Sequence, residues 1–265
     1  MYYDMHTHSE FSTDSHTTMV CEIQSALEKG FSGIAFTDHI DLDFTGHEEE
    51  FQFDISAYFT QIDQLTDEYS GKLEIIKAVE FGIQPHTVAD TRALLQGYPY
   101  DFILGSTHLF SRKDPYEPEF FQTEKTKTEL YRDCLECIYG NIRLYHDFDV
   151  LAHIDYQVRN APYQDPGFYY KDYTELLDEI FRFIIQKGIG LEINTSTYKA
   201  VPLDLQLLKR YKELGGEIVT LGSDAHYCQN VGQLFPEYIE IIKMCGFDYI
   251  AHYKHRKPVF DRIQL

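Results

Sequence analysis

Short apolar runs recur along the chain, and longer segments follow them in which apolar residues repeat every three or four positions. The short runs predict strands, and the longer segments predict helices. In segment 18–29, for example, Val20, Ile23 and Ala26 share one helical face, and 173–187 and 203–214 show the same spacing. Seven strands are predicted, at 2–8, 33–39, 73–82, 101–109, 149–156, 188–195 and 217–226.

Glycines separate several predicted helices from the strands that follow. Gly30, Gly188 and Gly215 occupy such positions, and glycine readily takes the left-handed conformation in which many helices end. Strand and helix in alternation predict a parallel sheet. An α/β barrel of βα units fits best, and an open doubly wound sheet is the alternative. No GxGxxG or GxxxxGK[ST] phosphate loop supports that alternative. No linker interrupts the order, so we expect a single domain over residues 1–265.

Composition and charge narrow the class of protein. The chain has 265 residues, 43% of them hydrophobic, which is enough for one barrel with a large core. Its 43 acidic and 23 basic side chains give a net charge of −20, which argues against binding nucleic acid or an anionic membrane. No apolar run approaches the roughly 20 residues of a membrane span, and the start MYYDMHTH does not resemble a signal peptide. We therefore expect a soluble cytoplasmic protein.

The five cysteines do not predict a disulfide framework, because their number is odd and the chain is long. Cys134 and Cys137 form a CxxC motif, but it lies in a helix-like segment and has no second pair. We therefore expect no redox or metal chemistry from this motif.

Histidines and carboxylates mark the ends of the predicted strands. His6 and His8 end the first strand and, being two residues apart, point to the same side, so both imidazoles can bind one metal ion. Asp224 and His226 form a second such pair at the end of the seventh strand. His39, Glu80, His108 and His153 occupy corresponding positions in the strands between. The carboxyl ends of barrel strands meet at one face, so these side chains are expected to converge.

Six of the 12 histidines belong to this set, which Asp14 also joins. Six imidazoles and three carboxylates are too many for one tetrahedral zinc, and they suit two or three first-row divalent ions. Zinc, manganese and iron all accept such ligands, so the identity of the metal stays open. The predicted ligands are His6, His8, Asp14, His39, Glu80, His108, His153, Asp224 and His226.

Seven short motifs stand in an order and spacing that resemble the polymerase-and-histidinol-phosphatase superfamily. They are MHTHSEFSTDS, AFTDH, AVEFG, GSTH, LAHIDY, LEINTS and LGSDAH. The chain length and the tail KHRKPVF resemble its monofunctional histidinol-phosphatase branch. The resemblance implies a distorted seven-stranded (β/α)7 TIM-like barrel that holds three divalent metal ions. It places one ion on His6, His8, Glu80 and Asp224, a second on Glu80, His108 and His153, and a third on Asp14, His39 and His226.

The resemblance also implies the reaction. We expect a metal-dependent phosphatase of histidine biosynthesis that acts on L-histidinol phosphate, a small phosphorylated substrate, through a metal-bound water held by His6, His8, Glu80 and Asp224. One alternative is a related phosphoesterase for nucleotides or cyclic phosphodiesters, and another is a non-catalytic metal-binding subunit of a larger assembly. The sequence leaves the oligomeric state open.

A phosphate group needs a protein donor in addition to the metal ions. Arg159 follows the fifth strand by a few residues, and its planar guanidinium offers two parallel hydrogen bonds. Arg112 and Lys199 are rival candidates in neighbouring loops. Asn194 and Ser196 are possible substrate contacts at the sixth strand.

Other polar residues have less direct predicted roles. Glu192 is expected to support a ligand or the fold, and Asp38 is expected to be a buried structural carboxylate facing away from the ligands. The aromatic and acidic loop 110–121 either caps the pocket and binds an imidazole or amine, or is simply solvated.

Overall fold

The computed structural model describes residues 2–47, 50–196 and 204–263. The strands are β1 (Tyr3–Thr7), β2 (Gly33–Phe36), β3 (His39–Ile40), β4 (Glu74–Gly82), β5 (Phe102–Ser106), β6 (Val150–Leu151), β7 (Gly190–Asn194), β8 (Val219–Gly222), β9 (Tyr249–Lys254) and β10 (Lys257–Arg262). The helices are α1 (Met19–Glu28), α2 (Ile55–Glu68), α3 (Val88–Leu95), α4 (Lys127–Leu144), α5 (Thr174–Lys187), α6 (Leu205–Glu213) and α7 (Phe235–Met244).

The main sheet is parallel and nearly closed. Its strands run in the order β1-β2-β4-β5-β6-β7-β8, and the short β3 pairs with β4. Residues after β8 return to β1, where the backbone N–H of His8 donates to the carbonyl of Ala225 at 2.9 Å. The predicted seven-stranded α/β barrel is therefore confirmed, and the open doubly wound sheet is excluded.

Local chemistry explains where the predicted helices begin and end. The Thr18 hydroxyl accepts a hydrogen bond from the backbone N–H of Cys21 and caps α1. α5 ends at Gly188, whose φ of 71° is left-handed and inexpensive only for glycine. The buried face of α5 includes Leu177, Ile180 and Ile184. These helices match the segments predicted at 18–29 and 173–187.

A separate apolar cluster packs inside the barrel. Met5, Ala78, Phe102 and Leu104 belong to it, and Tyr253 of the β9–β10 hairpin joins them. The Tyr253 hydroxyl donates to the Asp149 carbonyl at 3.1 Å, just before β6. The hairpin therefore closes the amino-terminal end of the barrel, which leaves the opposite end for the site. The sequence analysis did not predict this hairpin.

Three predicted strands differ clearly from the structure. The seventh, expected at 217–226, ends at Gly222. The second, expected at 33–39, is interrupted at Thr37 and Asp38 before β3 begins. The fifth, expected at 149–156, contains only the two residues of β6 because the chain turns after Ala152. Both interruptions fall where the chain leaves the sheet to present side chains at the carboxyl end of the barrel.

One disulfide corrects the expectation drawn from the cysteine count. Cys21 of α1 is bonded to Cys228, which lies beyond β8, across a sequence separation of 207 residues. Closure of the barrel brings these two distant positions together. Cys134, Cys137 and Cys245 are free thiols. Among the described residues, no helix is both long and apolar enough to cross a membrane.

Candidate metal centre

The predicted ligands converge at the carboxyl end of the barrel, with Glu80 at their centre. The Glu80 side chain has no exposed surface. Its Oε1 atom lies 2.8 Å from Nε2 of His153 and 3.1 Å from Nε2 of His108. Its Oε2 atom lies 3.1 Å from Nε2 of His6 and 3.2 Å from Nδ1 of His39. Glu80 therefore lies between two groups of imidazoles, as a bridging carboxylate must.

His6 and His8 face each other at the end of β1. Their Nε2 atoms are 2.9 Å apart, and Oδ1 of Asp224 lies 3.6 Å from the first and 3.3 Å from the second. The register of β1 against β2 shifts between Asp4 and Thr7. Irregularities of this kind re-aim side chains near functional sites. This local geometry brings both imidazoles to the same point.

Asp14, His39 and His226 form the outer part of the cluster. Oδ2 of Asp14 lies 3.1 Å from Nε2 of His226 and 3.5 Å from Nε2 of His39. The His8 ring stacks against both of these histidines. The Asp14 side chain is 40% exposed, in contrast to the fully buried Glu80. This part of the cluster is therefore the most open to solvent.

Asp224 and His226 come together differently from the strand pair predicted by their spacing. β8 ends at Gly222, and Asp224 has a left-handed φ of 52°. Asp224 groups with His6 and His153, whereas His226 groups with His8 and His39. The turn thus sends the two side chains to different parts of the cluster.

The arrangement fits bound divalent cations. Among the residues that the structure describes, four overlapping groups of three side chains have ligand atoms that all lie within 4.8 Å of one another. Two atoms that bind one tetrahedral zinc at about 2.0–2.1 Å lie about 3.3 Å apart, close to the separations around Glu80. The donors are imidazole nitrogens and carboxylate oxygens, which zinc and related ions prefer. Buried imidazole nitrogens need a partner, and a metal ion between them provides one where they face each other.

Neighbouring side chains of the cluster shift one another's pKa values. Burial would raise the pKa of Glu80, but His6, His108 and His39 bring it well below its ordinary value. Burial and the neighbouring His39 and His226 rings lower the pKa of His8 well below its usual range. These shifts favour a carboxylate at Glu80 and a neutral imidazole at His8, which are the forms that bind metal ions.

Buried carboxylates orient two predicted ligands, His6 and His108, through the ring nitrogen that does not face Glu80. Oε1 of Glu192 lies 2.5 Å from Nδ1 of His6, in agreement with the supporting role expected for Glu192. Asp41 contacts Nδ1 of His108 at 2.8 Å. The sequence analysis missed Asp41, although its position two residues after His39 is a signal that could have identified it. Asp38 is buried, as expected, and accepts hydrogen bonds from Ser9 and Ser12. The Ser12 hydroxyl also lies 3.1 Å from Nδ1 of His8, so Asp38 is connected to this ligand through Ser12.

Arg159 is buried at the edge of the cluster. Its guanidinium donates to Oδ2 of Asp224 and lies 5.0 Å from the centre of the Tyr156 ring. Burial would lower the pKa of Arg159, but Asp224 and the neighbouring tyrosines raise it well above its ordinary value. Arg159 is thus a fixed, buried cation beside the predicted ligands.

The other predicted substrate residues have different surroundings. Asn194 donates to Asp224 and Glu192, both at 3.2 Å, and accepts from Arg159 at 3.3 Å. These contacts favour a role in orienting Arg159 and Asp224. Ser196 is buried beside it and donates its backbone N–H to Asn194. Lys199 lies outside the described residues.

Arg112 lies at the rim of the barrel, where it pairs with Asp43 and contacts His86. It does not line the cavity described next. These contacts make Arg112 a less favourable phosphate-binding candidate than Arg159.

A cavity of about 260 Å³ opens over the cluster. Arg159, Asp224, His226 and Glu80 line its floor, and aromatic rings and one carboxylate come from the surrounding loops. The loop residues are Phe44, Phe51, Asp114, Tyr116 and Tyr156. Asp114 and Tyr116 belong to the 110–121 loop, so this loop does border the pocket. The sequence analysis did not identify Phe44 or Phe51, because isolated aromatic residues in a loop give no distinctive signal.

Comparisons with known proteins agree with this geometry. A family model described as "PHP domain" matches residues 4–196. A probable histidinol-phosphatase of Clostridium acetobutylicum is 34% identical over 268 aligned residues, covering 100% of this chain and 98% of that protein. The histidinol-phosphatase of Lactococcus lactis is 30% identical, covering 96% and 95% of the two chains.

Solved structures show the same fold. The crystal structure of L. lactis histidinol phosphate phosphatase, complexed with zinc, L-histidinol and phosphate, matches with a TM-score of 0.90 and 30% identity, covering 97% of this chain and 98% of that chain. A protein from Listeria monocytogenes matches with a TM-score of 0.76 at 20% identity, covering 89% and 99%, and supports the fold alone. From the matched residues, the shared barrel and the full-length similarity, we conclude that this chain belongs to the PHP domain family.

Proposed function

We propose that this protein is a metal-dependent phosphomonoesterase that hydrolyses L-histidinol phosphate to L-histidinol and inorganic phosphate in histidine biosynthesis. The observation that carries the proposal is the convergence of six imidazoles and three carboxylates in one cluster, beside a small cavity that the buried Arg159 also lines. The similarity over the full length to histidinol-phosphatases supports the choice of substrate.

The proposal includes three divalent ions, with zinc the first candidate because a similar structure contains it. His6, His8, Glu80 and Asp224 would hold one ion. Glu80, His108 and His153 would hold the second, and Asp14, His39 and His226 the third. When bound, such ions supply positive charge for the phosphate and a water acidic enough to attack it at neutral pH.

Arg159 is proposed to bind the phosphate. Its guanidinium lies on the cavity wall and is anchored by Asp224 and Asn194. Because it has five N–H donors in a fixed plane, it can keep these contacts and still donate to a phosphate oxygen. The Tyr156 ring beneath it restricts its motion. Arg159 would thus hold the phosphate in one orientation above the cluster.

The loop residues are proposed to receive the histidinol end of the substrate. Asp114 is a carboxylate on the cavity wall, suited to an ammonium or imidazolium group, and Phe44 and Phe51 offer apolar surface to an imidazole ring. A cavity of about 260 Å³ suits a small metabolite better than a nucleotide. Its size therefore favours the histidinol substrate over the nucleotide alternative.

The proposal treats residues 1–265 as one phosphatase domain. The family model matches residues up to 196, but Asp224 and His226 lie beyond that point and complete the cluster. The cytoplasmic location expected from the sequence is also part of the proposal, and cell fractionation tests it.

Release of inorganic phosphate from a substrate panel tests the proposed activity. The panel contains L-histidinol phosphate, p-nitrophenyl phosphate, nucleoside monophosphates and a cyclic dinucleotide. The proposal predicts that kcat/KM for L-histidinol phosphate exceeds every other value by at least about 100-fold, or roughly 2.7 kcal/mol of transition-state binding. A preference for nucleotides would favour the related phosphoesterase. No turnover of any compound by metal-loaded protein would favour the non-catalytic subunit.

A further inference from the structure

The disulfide joins the two chain segments that carry the outer metal ligands. Cys21 lies in the first turn of α1, and the loop that precedes this helix contains Asp14. Cys228 follows His226 by two residues. The Cα atoms of the two cysteines are 5.8 Å apart. The covalent bond therefore links the same two segments whose ligand atoms, Oδ2 of Asp14 and Nε2 of His226, lie 3.1 Å apart.

Hydrogen bonds hold the same two segments together. Thr17 donates to the His226 carbonyl at 3.0 Å, and Ser25 donates to the Cys228 carbonyl at 2.6 Å. Lys29 donates to the Gln229 carbonyl at 2.7 Å. These bonds would keep the two cysteines near each other after reduction, so that the disulfide can form again without a search through unfolded states. They are partly exposed and are weaker constraints than a covalent bond.

The two bonded cysteines are also accessible. Both are partly exposed, whereas Cys134 and Cys245 are buried. Attack by an external thiolate requires access to a sulfur atom. A partly exposed disulfide in a protein of the reducing cytoplasm, where we propose that this chain resides, is typically transient and redox-sensing.

We propose that Cys21 and Cys228 form a reversible thiol–disulfide pair, exchanged by small-molecule thiols such as glutathione, that controls how firmly the outer metal ion is held by Asp14, His39 and His226. In reduction, one external thiolate attacks a cysteine sulfur and displaces the other as a thiolate. A second external thiol attacks the mixed disulfide. Two external thiols are thereby oxidised to one disulfide, and the two cysteines receive two electrons and two protons. Oxidation by a small-molecule disulfide is the reverse.

The effect on the outer ion rests on the metal centre of the proposed function. Asp14 is the most exposed of the predicted ligands described above, and His226 is on a loop that the disulfide anchors. Reduction removes the covalent constraint and leaves the partly exposed hydrogen bonds to hold this loop against α1, so the loop can move more. The ions around the buried Glu80 do not depend on that loop to the same degree, because His6, His108 and His153 lie at or near strand ends. Asp224 shares the loop with His226, but its backbone N–H donates to the His6 carbonyl at 2.7 Å and holds it against β1. The outer ion is therefore the one that responds to reduction.

Counting thiols tests the exchange independently of metal binding. Protein exposed to oxidised glutathione should show three free thiols after denaturation, and protein exposed under native conditions to millimolar reduced glutathione should show five, with the two new labels on Cys21 and Cys228. Three thiols in both samples would mean a permanent disulfide, and five in both would mean no disulfide. Either result overturns the proposal.

Release of metal to a chromogenic chelator tests the coupling in zinc-loaded protein. Reduced wild-type protein and C228S should release one equivalent at least fivefold faster than the oxidised protein, with the remaining equivalents unchanged, and C137S should behave like wild type. The oxidised and reduced wild-type samples give the comparison even if C228S fails to fold. Equal release rates overturn the coupling. Absence of bound metal in both redox states contradicts the proposed metal centre and removes the coupling with it, whereas the thiol count still decides whether the pair exchanges.

Discussion

Nδ1 of His6 lies 2.5 Å from Oε1 of Glu192, and the other Glu192 oxygen accepts the backbone N–H of His153 at 2.7 Å. One buried carboxylate thereby connects two predicted ligands from neighbouring parts of the barrel. A carboxylate at Nδ1 keeps the proton on that nitrogen and leaves the Nε2 lone pair for a metal ion. Glu192 therefore determines both the orientation and the basicity of His6.

Replacing Glu192 by Gln should weaken metal binding without unfolding the protein. The amide has nearly the same shape but lacks the negative charge that supports His6, and losses of such supporting groups cost about 10- to 100-fold in affinity or activity. Competition with a chelator of known affinity measures the change, and circular dichroism verifies the fold. Unchanged affinity and activity would show that Glu192 serves only the packing of β7.

Replacing Glu80 by Ala should be more damaging than replacing Asp14 by Ala. Glu80 is buried and contacts imidazoles from both sides, whereas Asp14 is 40% exposed and contacts His39 and His226. We expect Glu80→Ala to lose at least two metal equivalents and nearly all activity, and Asp14→Ala to lose at most one. Metal analysis of both purified variants, together with phosphate release, provides the comparison. Equal metal content and equal rates in the two variants would refute the bridging role.

Arg159→Ala should lower kcat/KM for L-histidinol phosphate about 10- to 150-fold, because a charged hydrogen bond contributes roughly 1.5–3 kcal/mol. Arg112→Ala is the matched control, since Arg112 pairs with Asp43 at the rim, and it should change kcat/KM less than about threefold. Metal content is measured in both variants. Loss of metal in Arg159→Ala would instead assign Arg159 to holding Asp224, and a loss of activity under threefold would exclude it from phosphate binding.

Glu22→Gln should stabilise the protein at neutral pH. Burial raises the pKa of Glu22 well above its ordinary value, the Thr7 hydroxyl lowers it in part, and Asp38 raises it further. A raised folded-state pKa means that the wild type loses stability as the pH rises above about 4.5, where Glu22 of the unfolded chain ionises. The variant has no ionisable group at this position, so it avoids this cost and should have a higher free energy of unfolding than the wild type at pH 7.

Urea unfolding of wild type and Glu22→Gln at neutral and acidic pH checks this expectation. Their difference in free energy should shrink as the pH falls toward 4. Glu28→Gln, at an exposed position on the same helix, is the matched control for the loss of a carboxylate. A variant that is less stable than the wild type at pH 7 would show that Glu22 is a required carboxylate.

The barrel and most of the cluster were predictable because they follow from regular local patterns. His6 and His8 are two residues apart at a strand end, Glu80 lies near the end of β4, and His108 lies two residues beyond the end of β5. A parallel barrel brings these ends together whatever the details of its loops. For this reason the spacing of residues along the chain was enough to predict that His6 and His108 lie close to Glu80. Both are within hydrogen-bonding distance of its carboxylate.

What the sequence did not reveal depends on contacts between distant segments. Asp41 meets His108 only because β3 pairs with β4 after the break at Thr37 and Asp38. The Cys21–Cys228 bond depends on closure of the barrel between β8 and β1. The burial of Arg159 likewise depends on Asp224, which arrives from the far end of the chain. The periodicity of a short segment does not predict contacts between residues that are far apart in the sequence.

The central claim is that the clustered imidazoles and carboxylates hold metal ions on which phosphatase activity depends. The most direct measurement follows metal content per chain and phosphate release from L-histidinol phosphate together, during stepwise chelation and then after adding Zn²⁺ or Mn²⁺. The account predicts that activity falls as metal is removed and returns when either ion is restored. Full activity in protein shown to be free of metal would contradict it.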